Sequence, residues 1–298
     1  FPTRRSSDLD PIDSSEMNPT IWADIAKTIF DNYSNYDGFV VLHGSDTMAY
    51  TASAMSFMLS GLKKPVILTG SQLPIGQIRT DGKENLITAI EIAGKLDLTG
   101  EPMVQEVAIY FEFQLHRGNR TSKQSTSNFE AFVSENYPLL AEAGVDIAFN
   151  QSALLRKGFQ KFETFTNFNT RVGLVKLFPG MPVSALSSIF DRANTDGVVL
   201  ESYGNGNTFS SSELETMIGN YMKTGGVVLN ITQCGKGTVN HGKSETSMMF
   251  VRLGVIGGYD LTTEAAVTKM MHVLGRYSDY SDRKAALEKN ICGEFTQI

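Results

Sequence analysis

The sequence has few cysteines, no surplus of basic residues and no long apolar run. Only two of its 298 residues are cysteines, Cys234 and Cys292, and they form no CxxC motif. This argues against a disulfide framework and favours a reducing compartment. Acidic residues (32) outnumber Lys and Arg (26), which gives a net charge of −6 and argues against nucleic acid as a partner. No apolar run approaches the roughly 20 residues that a membrane-spanning helix needs, so we expect no membrane partner.

Histidine is also scarce, and its positions do not indicate a metal site. The four histidines are separated by long stretches of sequence and show none of the spacings typical of zinc ligands. We therefore expect no metal. The hydrophobic fraction of 41% and the charged fraction of 19% are those of a globular protein with a large apolar core.

Short apolar runs alternate with segments of helical period along most of the chain. This alternation predicts an α/β protein of two domains, each a largely parallel sheet flanked by helices. We place the N-terminal domain at residues 10–150, a polar linker at residues 151–170 and the C-terminal domain at residues 171–298. Residues 1–9 show neither pattern and resemble a solvated tail or a translated cloning scar.

The stretch at residues 37–60 organises the first domain. Residues 38–42 are apolar and largely β-branched, which predicts a strand buried on both faces. A helical period follows from Met48, and residues 43–47 form a polar turn between the two. In parallel α/β sheets ligands bind at such turns, where the free N–H groups of the helix favour an anion.

Each polar candidate also has a purely structural interpretation. Ser45, Asp46 or Thr47 could cap the helix, and Ser14 or Ser15 could cap a turn at the start of the chain. The basic segment at residues 117–123, which contains Lys123, could be a solvated loop. These alternatives stay open at the level of residue patterns.

Several motifs resemble those of one family, the L-asparaginases. HGSDTM at residues 43–48 is similar to the HGTDTM signature of that family, and Asp13-Ser14-Ser15 resembles its substrate-carboxylate loop. RGNRTSK at residues 117–123 resembles the segment that carries its conserved lysine. LTGSQ at residues 68–72 and GVIGG at residues 254–258 fit as well. The similarity runs from about residue 10 to the end of the chain and is closest to the type I, cytoplasmic bacterial branch.

The resemblance implies hydrolysis of L-asparagine to L-aspartate and ammonia, without metal or cofactor, in a cytoplasmic homodimer or homotetramer. It implies that Ser45, Asp46 and Lys123 form a hydrogen-bonded catalytic group, because an amide is a poor electrophile and needs an activated hydroxyl. Asp46 would also accept a hydrogen bond from the substrate ammonium. Ser14 and Ser15 would donate hydrogen bonds to the substrate α-carboxylate.

The sequence departs from the family pattern at three places. Ser45 stands where the family has threonine, which keeps the hydroxyl but loses the methyl group that restricts its rotamer. Residues 1–9 do not match the family's first strand and its TGGTI-type loop, which bears a threonine usually assigned as the nucleophile. We therefore expect the chain as given to be a truncated and nearly inactive asparaginase. Glu201 occupies the position of an arginine that serves a regulatory asparagine site in type I enzymes, and a carboxylate cannot pair with the effector carboxylate.

Two other functions are compatible with the same motifs. One is an ammonia-releasing amidotransferase subunit, since the fold and signature also serve the archaeal transfer-RNA amidotransferase. The other is a non-catalytic amino-acid-binding protein, which would keep the binding residues without the nucleophile loop.

Overall fold

A computed structural model describes residues 11–156, 160–242 and 245–297 of the chain. The tail predicted at residues 1–9 lies outside the described residues. Within these ranges, no helix is both long enough and apolar enough to cross a membrane.

The described residues form seven α-helices and fourteen strands. The helices are α1 (Pro19–Asp31), α2 (Met48–Met58), α3 (Gly82–Gly94), α4 (Ser212–Lys223), α5 (Glu245–Leu253), α6 (Thr263–Arg276) and α7 (Tyr280–Glu288). The strands are β1 (Phe39–Leu42), β2 (Leu59–Ser60), β3 (Val66–Thr69), β4 (Val107–Phe111), β5 (Gln114–Arg117), β6 (Ser122–Lys123), β7 (Phe132–Val133), β8 (Ala141–Ala143), β9 (Ile147–Phe149), β10 (Glu163–Thr164), β11 (Val172–Lys176), β12 (Gly197–Ser202), β13 (Val227–Thr232) and β14 (Ile256–Gly257).

The first large sheet has the order β1-β3-β4-β5-β8-β9. Strands β1, β3 and β4 are parallel, so their carboxyl ends point in the same direction. The turns that follow β1 and β3 therefore lie next to each other at that end of the strands. The other three strands are antiparallel. The reversal occurs at the two-residue turn Glu112-Phe113, where both residues have positive φ angles of 43° and 66°, as a type I′ hairpin requires.

The second sheet has the order β11-β12-β13-β14 and is parallel throughout. The two-domain α/β fold predicted from the sequence is confirmed. The predicted linker contributes β10, which pairs antiparallel with β2 of the first half, so this segment packs on the surface of that half. The boundaries at residues 150 and 171 stay a prediction.

The prediction that β1 is buried on both faces is wrong for the described residues. Three of its side chains are half-buried, and Leu42 is 65% exposed. The reason is that β1 pairs only with β3 within these residues and forms the edge of the sheet. Because the carboxyl end of β1 is exposed, the turn at residues 43–47 that follows it is accessible to solvent.

The interpretation of residues 117–123 as a solvated loop is also wrong. Arg117, Asn119 and Arg120 are each less than 5% exposed. Arg117 pairs with Glu106 at 2.6 Å, and Arg120 forms two hydrogen bonds with Asp260, at 2.8 and 2.9 Å. These buried cations are tolerated because each is paired, and the pairing fixes the segment that leads to β6.

Helices α2 and α6 pack against each other and join the two halves of the molecule. At this contact the imidazole of His272 stacks on Phe57, with ring centroids 5.8 Å apart. Phe165 and Phe168 meet the same imidazole edge-on at 5.7 Å. Burial lowers the pKa of His272 to about 4, and the positive charges of Arg276 and Lys269 add to the effect, while Glu294 opposes it.

We expect His272 to make the fold sensitive to acid. In the unfolded chain its pKa returns to about 6.5, so the unfolded state binds the proton first and stability is lost as the pH falls from about 6.5 to 4. The loss from this one group should reach about 3 kcal/mol at pH 4. Urea unfolding at several pH values should show a smaller loss over this window for His272→Gln than for the wild type, and equal losses would contradict the assignment.

Candidate active site

The turn between β1 and α2 does not use its polar side chains to cap the helix. Thr47 is the N-cap residue by position, but its hydroxyl donates to the backbone carbonyl of Ser14 at 2.6 Å. The side chains of Ser45 and Asp46 instead contact Lys123. The capping interpretation of these residues is therefore wrong, and their hydroxyl and carboxylate meet a cation from a distant part of the chain.

Ser45, Asp46 and Lys123 form one hydrogen-bonded group. The Nζ of Lys123 donates to Ser45 Oγ at 2.9 Å and to Asp46 Oδ1 at 2.5 Å. The Lys123 side chain is 15% exposed, whereas that of Asp46 is 69% exposed. The group thus has a shielded ammonium on one side and a carboxylate open to a solute on the other.

Lys123 reaches this position because β6 is held by its partner strand β7 and by the 3₁₀ turn that precedes it. Strand β6 pairs antiparallel with β7, so Lys123 lies opposite Phe132. The 3₁₀ turn just before it is held by Arg120, and the amide of Asn119 donates to the backbone carbonyl of Cys292 at 3.1 Å. A neighbouring strand and the C-terminal part of the chain therefore position the lysine.

Gln72 is a site residue that the sequence reasoning quoted only within a motif and gave no role. Ser45 Oγ donates to Gln72 Oε1 at 2.9 Å, and Gln72 Nε2 donates to the carbonyl of Asn128 at 2.9 Å. The backbone N–H of Gln72 is held by the buried carboxylate of Asp81. A signal was available, because Gln72 follows β3, whose carboxyl end lies beside that of β1 in the parallel sheet.

The orientation of the Ser45 hydroxyl follows from these two partners. A lysine ammonium has only donors, so Ser45 Oγ accepts from Lys123 and directs its own hydrogen to Gln72. The two hydrogen bonds restrict a side chain that lacks the methyl group of threonine. One lone pair of Ser45 Oγ remains for a further partner.

Ser14 and Ser15 differ in their surroundings. Ser14 is buried and packs against the turn at Gly44, whereas Ser15 is exposed. The hydroxyl of Ser15 donates to Asp13 Oδ1 at 2.8 Å, and the backbone N–H of Ser15 donates to the same oxygen. The structure therefore brings Ser14 to the site turn and leaves Ser15 at the rim, in a local turn held by Asp13.

His43 supports the turn as a neutral ring. Its Nδ1 lies 2.6 Å from the carbonyl of Gly44, which can only accept, so Nδ1 carries the hydrogen. Its Nε2 then accepts from Thr51, which in turn accepts from Trp22 Nε1. Burial lowers the pKa of His43, which keeps the ring neutral at pH 7.

The site offers a hydroxyl, an ammonium and an exposed carboxylate within hydrogen-bond reach of one another. Such a group can hold an amino group on the carboxylate and act on a carbonyl carbon beside the hydroxyl. Among residues 11–156, 160–242 and 245–297, no three histidine, cysteine or acidic side chains gather as a possible metal site.

Two family models cover most of the chain. The model described as "Asparaginase, N-terminal" matches residues 1–155, and the model described as "Glutaminase/Asparaginase C-terminal domain" matches residues 171–287. A solved structure, L-asparaginase I from Vibrio cholerae, superimposes with a TM-score of 0.88 at 37% identity. That match covers 96% of this chain and 84% of the other.

Three proteins show the range of sequence relatives. The 60 kDa lysophospholipase of Mus musculus is 40% identical over 95% of this chain, which spans only 49% of that protein. L-asparaginase 1 of Escherichia coli K12 is 39% identical over 96% of this chain and 82% of its own length. A glutamyl-tRNA(Gln) amidotransferase subunit from Methanopyrus kandleri is 35% identical over 94% of this chain and 63% of its own length.

The close contact at Gly44 gives a test of the site turn. A Cβ added at Gly44 would lie 2.7 Å from Ser14 Oγ and 2.8 Å from Ser14 Cβ, so the Gly44→Ala variant must displace one of the two segments. We expect Gly44→Ala to lower the free energy of unfolding by about 1–3 kcal/mol, as measured by urea titration.

Gly76→Ala is the matched control. An added Cβ at Gly76 meets no described atom within 4 Å, so its effect should stay within about 0.5 kcal/mol. Equal effects of the two substitutions would mean that Ser14 does not pack on the turn in solution.

Proposed function

Because the chain belongs to the asparaginase family, we propose that the protein carrying it is an amidohydrolase that converts L-asparagine to L-aspartate and ammonia. The observation that carries the proposal is the contact of Lys123 with both Ser45 and Asp46. Amide hydrolysis needs a nucleophilic oxygen, a group that moves its proton and stabilisation of the developing oxyanion.

In this proposal Lys123 assists proton transfer at the Ser45 hydroxyl or at a water beside it. Asp46 supports this role because its carboxylate stabilises positive charge on Lys123 at 2.5 Å. The attacking oxygen loses its proton as it bonds to the amide carbon. The leaving nitrogen gains a proton and departs as ammonia. Where the attacking oxygen is that of Ser45, this leaves an ester, which a water then hydrolyses to release L-aspartate and restore the hydroxyl.

Substrate binding would use the exposed part of the same group. The Asp46 carboxylate, 69% exposed, is available to accept a hydrogen bond from the substrate α-ammonium. Ser14 and Ser15 would donate to the α-carboxylate, and Ser14 already packs on the site turn. Ser15 can take part only when its hydroxyl turns away from Asp13.

We also propose that the protein acts as a homodimer or homotetramer in the cytoplasm, as the resemblance to type I enzymes implies. A second candidate function is that of an amidotransferase subunit, which the 35% identity to the Methanopyrus kandleri protein supports. Release of free ammonia from L-asparagine by the protein alone, without any partner protein, would favour the asparaginase function over this second candidate.

Lys123→Met should abolish ammonia release in the natural protein while the fold is kept. Loss of a positioned proton-transfer group typically costs about 10²–10⁴-fold in turnover, and methionine keeps an unbranched side chain that is only one atom shorter than that of lysine. Coupled ammonia detection gives the rate and thermal unfolding checks the fold. Lys95→Met, at an exposed lysine of no proposed role, is the control.

The same assay tests the prediction that the chain as given is nearly inactive. It should be run on this chain and on the chain extended by a family-type first strand and TGGTI loop. Activity in the extended protein alone would support both the function and the need for that loop. Binding of L-asparagine by both folded proteins without ammonia from either would instead favour a non-catalytic binding protein.

A further inference from the structure

The residue before Lys123 faces the C-terminal half of the molecule. Neighbouring side chains of a strand point to opposite faces, so Ser122 points away from the site when Lys123 points into it. The hydroxyl of Ser122 donates to Glu264 Oε2 at 2.8 Å. The strand that carries Lys123 is therefore joined by a side-chain hydrogen bond to the first turn of α6.

Glu264 is itself held in place. It lies in the first turn of α6, where Thr262 caps the helix by accepting from the backbone N–H of Ala265. The next residue along, Thr263, donates its hydroxyl hydrogen to Glu201 of β12. The cap fixes the start of α6, and with it the direction from which the Glu264 carboxylate meets Ser122. The hydroxyl of Thr263 contacts Glu201 and not Glu264.

The surroundings of Glu264 strengthen its hydrogen bonds. Burial raises the pKa of Glu264, and the negative charge of Glu201 raises it further. On the facing helix α2, burial and the same two carboxylates raise the pKa of Tyr50 to about 12, so this phenol keeps its hydrogen. A hydrogen bond in such a poorly solvated place is stronger than one at the surface, because water competes little for its partners.

We propose that Glu264 is a positioning residue: by accepting the hydrogen bond of Ser122, it fixes β6 and holds the Lys123 ammonium on Ser45 and Asp46. The need for such an anchor follows from the site itself. Strand β6 has only two residues, the lysine stem is flexible, and the Asp46 partner is largely exposed. The consequence for turnover rests on the proposed function, whereas the consequence for Lys123 does not.

The first test measures how accessible the Lys123 amine is. The natural protein is acetylated with an N-hydroxysuccinimide ester, and mass spectrometry follows the rate at Lys123 with Lys95 as internal reference. Ser122→Ala and Glu264→Ala should raise the rate at Lys123 about fivefold, as expected for the loss of about one hydrogen bond. Glu264→Gln keeps an acceptor oxygen and should restore the wild-type rate.

Thr263→Val is the matched control. It removes a hydroxyl–carboxylate bond from the same helical turn without touching Ser122, so the rate at Lys123 should not change. Thermal unfolding should be used to check that each variant is folded. Ser122→Ala is the mildest of the changes, because it removes only one oxygen atom. Unchanged acetylation in folded Ser122→Ala and Glu264→Ala, or a rise in Glu264→Gln as large as in Glu264→Ala, would overturn the proposal.

The second test uses turnover of L-asparagine. Ser122→Ala and Glu264→Ala should each lower kcat about tenfold with little change in KM, because the ligand-binding carboxylate of Asp46 is untouched. The double variant should be no slower than either single one, since both remove the same contact. A wild-type protein that releases no ammonia would refute the proposed function, while the acetylation rates would still decide the role of Glu264.

Discussion

The buried ion pair between Arg120 and Asp260 is the interaction on which the site depends. A guanidinium that is almost fully buried is strongly unfavourable unless a carboxylate meets it, so the two segments cannot separate without a large cost. Arg120 also donates to the backbone carbonyl of Glu294, and a second buried pair, Lys269 with Glu294, holds that part of the chain. The C-terminal half thereby fixes the turn that precedes Lys123.

The position of Lys123, and with it the geometry of the site, depends on this ion pair. The fixed turn leads into β6, and β6 presents Lys123 to the strand–helix turn after β1. There the edge position of β1 leaves Asp46 open to a solute, while Gln72 orients the hydroxyl of Ser45. The hydrogen-bonded group of Ser45, Asp46, Gln72 and Lys123 thus draws its residues from three separate parts of the sequence.

Features that depend on local patterns of residues could be predicted from the sequence. The apolar run of β1 and the helical period from Met48 located the strand–helix turn correctly. The start of helix α1 follows a similar local signal, with Asn18 as the capping residue and Pro19 at its first position. The resemblance singled out Ser45, Asp46 and Lys123, which the structure brings together.

Features that depend on distant partners could not be predicted from such patterns. The segment around Arg120 looks solvated because its partner, Asp260, lies 140 residues further along the chain. Hydrophobicity alone would place Ile87 on the inward face of α3, but Ile87 is 61% exposed, while Asn85 and Ala89 are buried. Asn85 is buried because its amide donates to the carbonyl of Gly70 and to the carboxylate of Asp81, which also accepts from the backbone N–H of Gln72. A pattern of hydrophobic residues cannot predict a buried polar side chain of this kind.

A crystal structure of the natural protein with L-aspartate tests the central claim most directly, namely that Ser45, Asp46 and Lys123 form the place where the amino acid binds and reacts. The account predicts that the α-ammonium of L-aspartate lies within about 3 Å of the Asp46 carboxylate, with the side-chain carboxylate beside Ser45 Oγ. L-aspartate bound at full occupancy elsewhere, with this group facing only solvent, would contradict it.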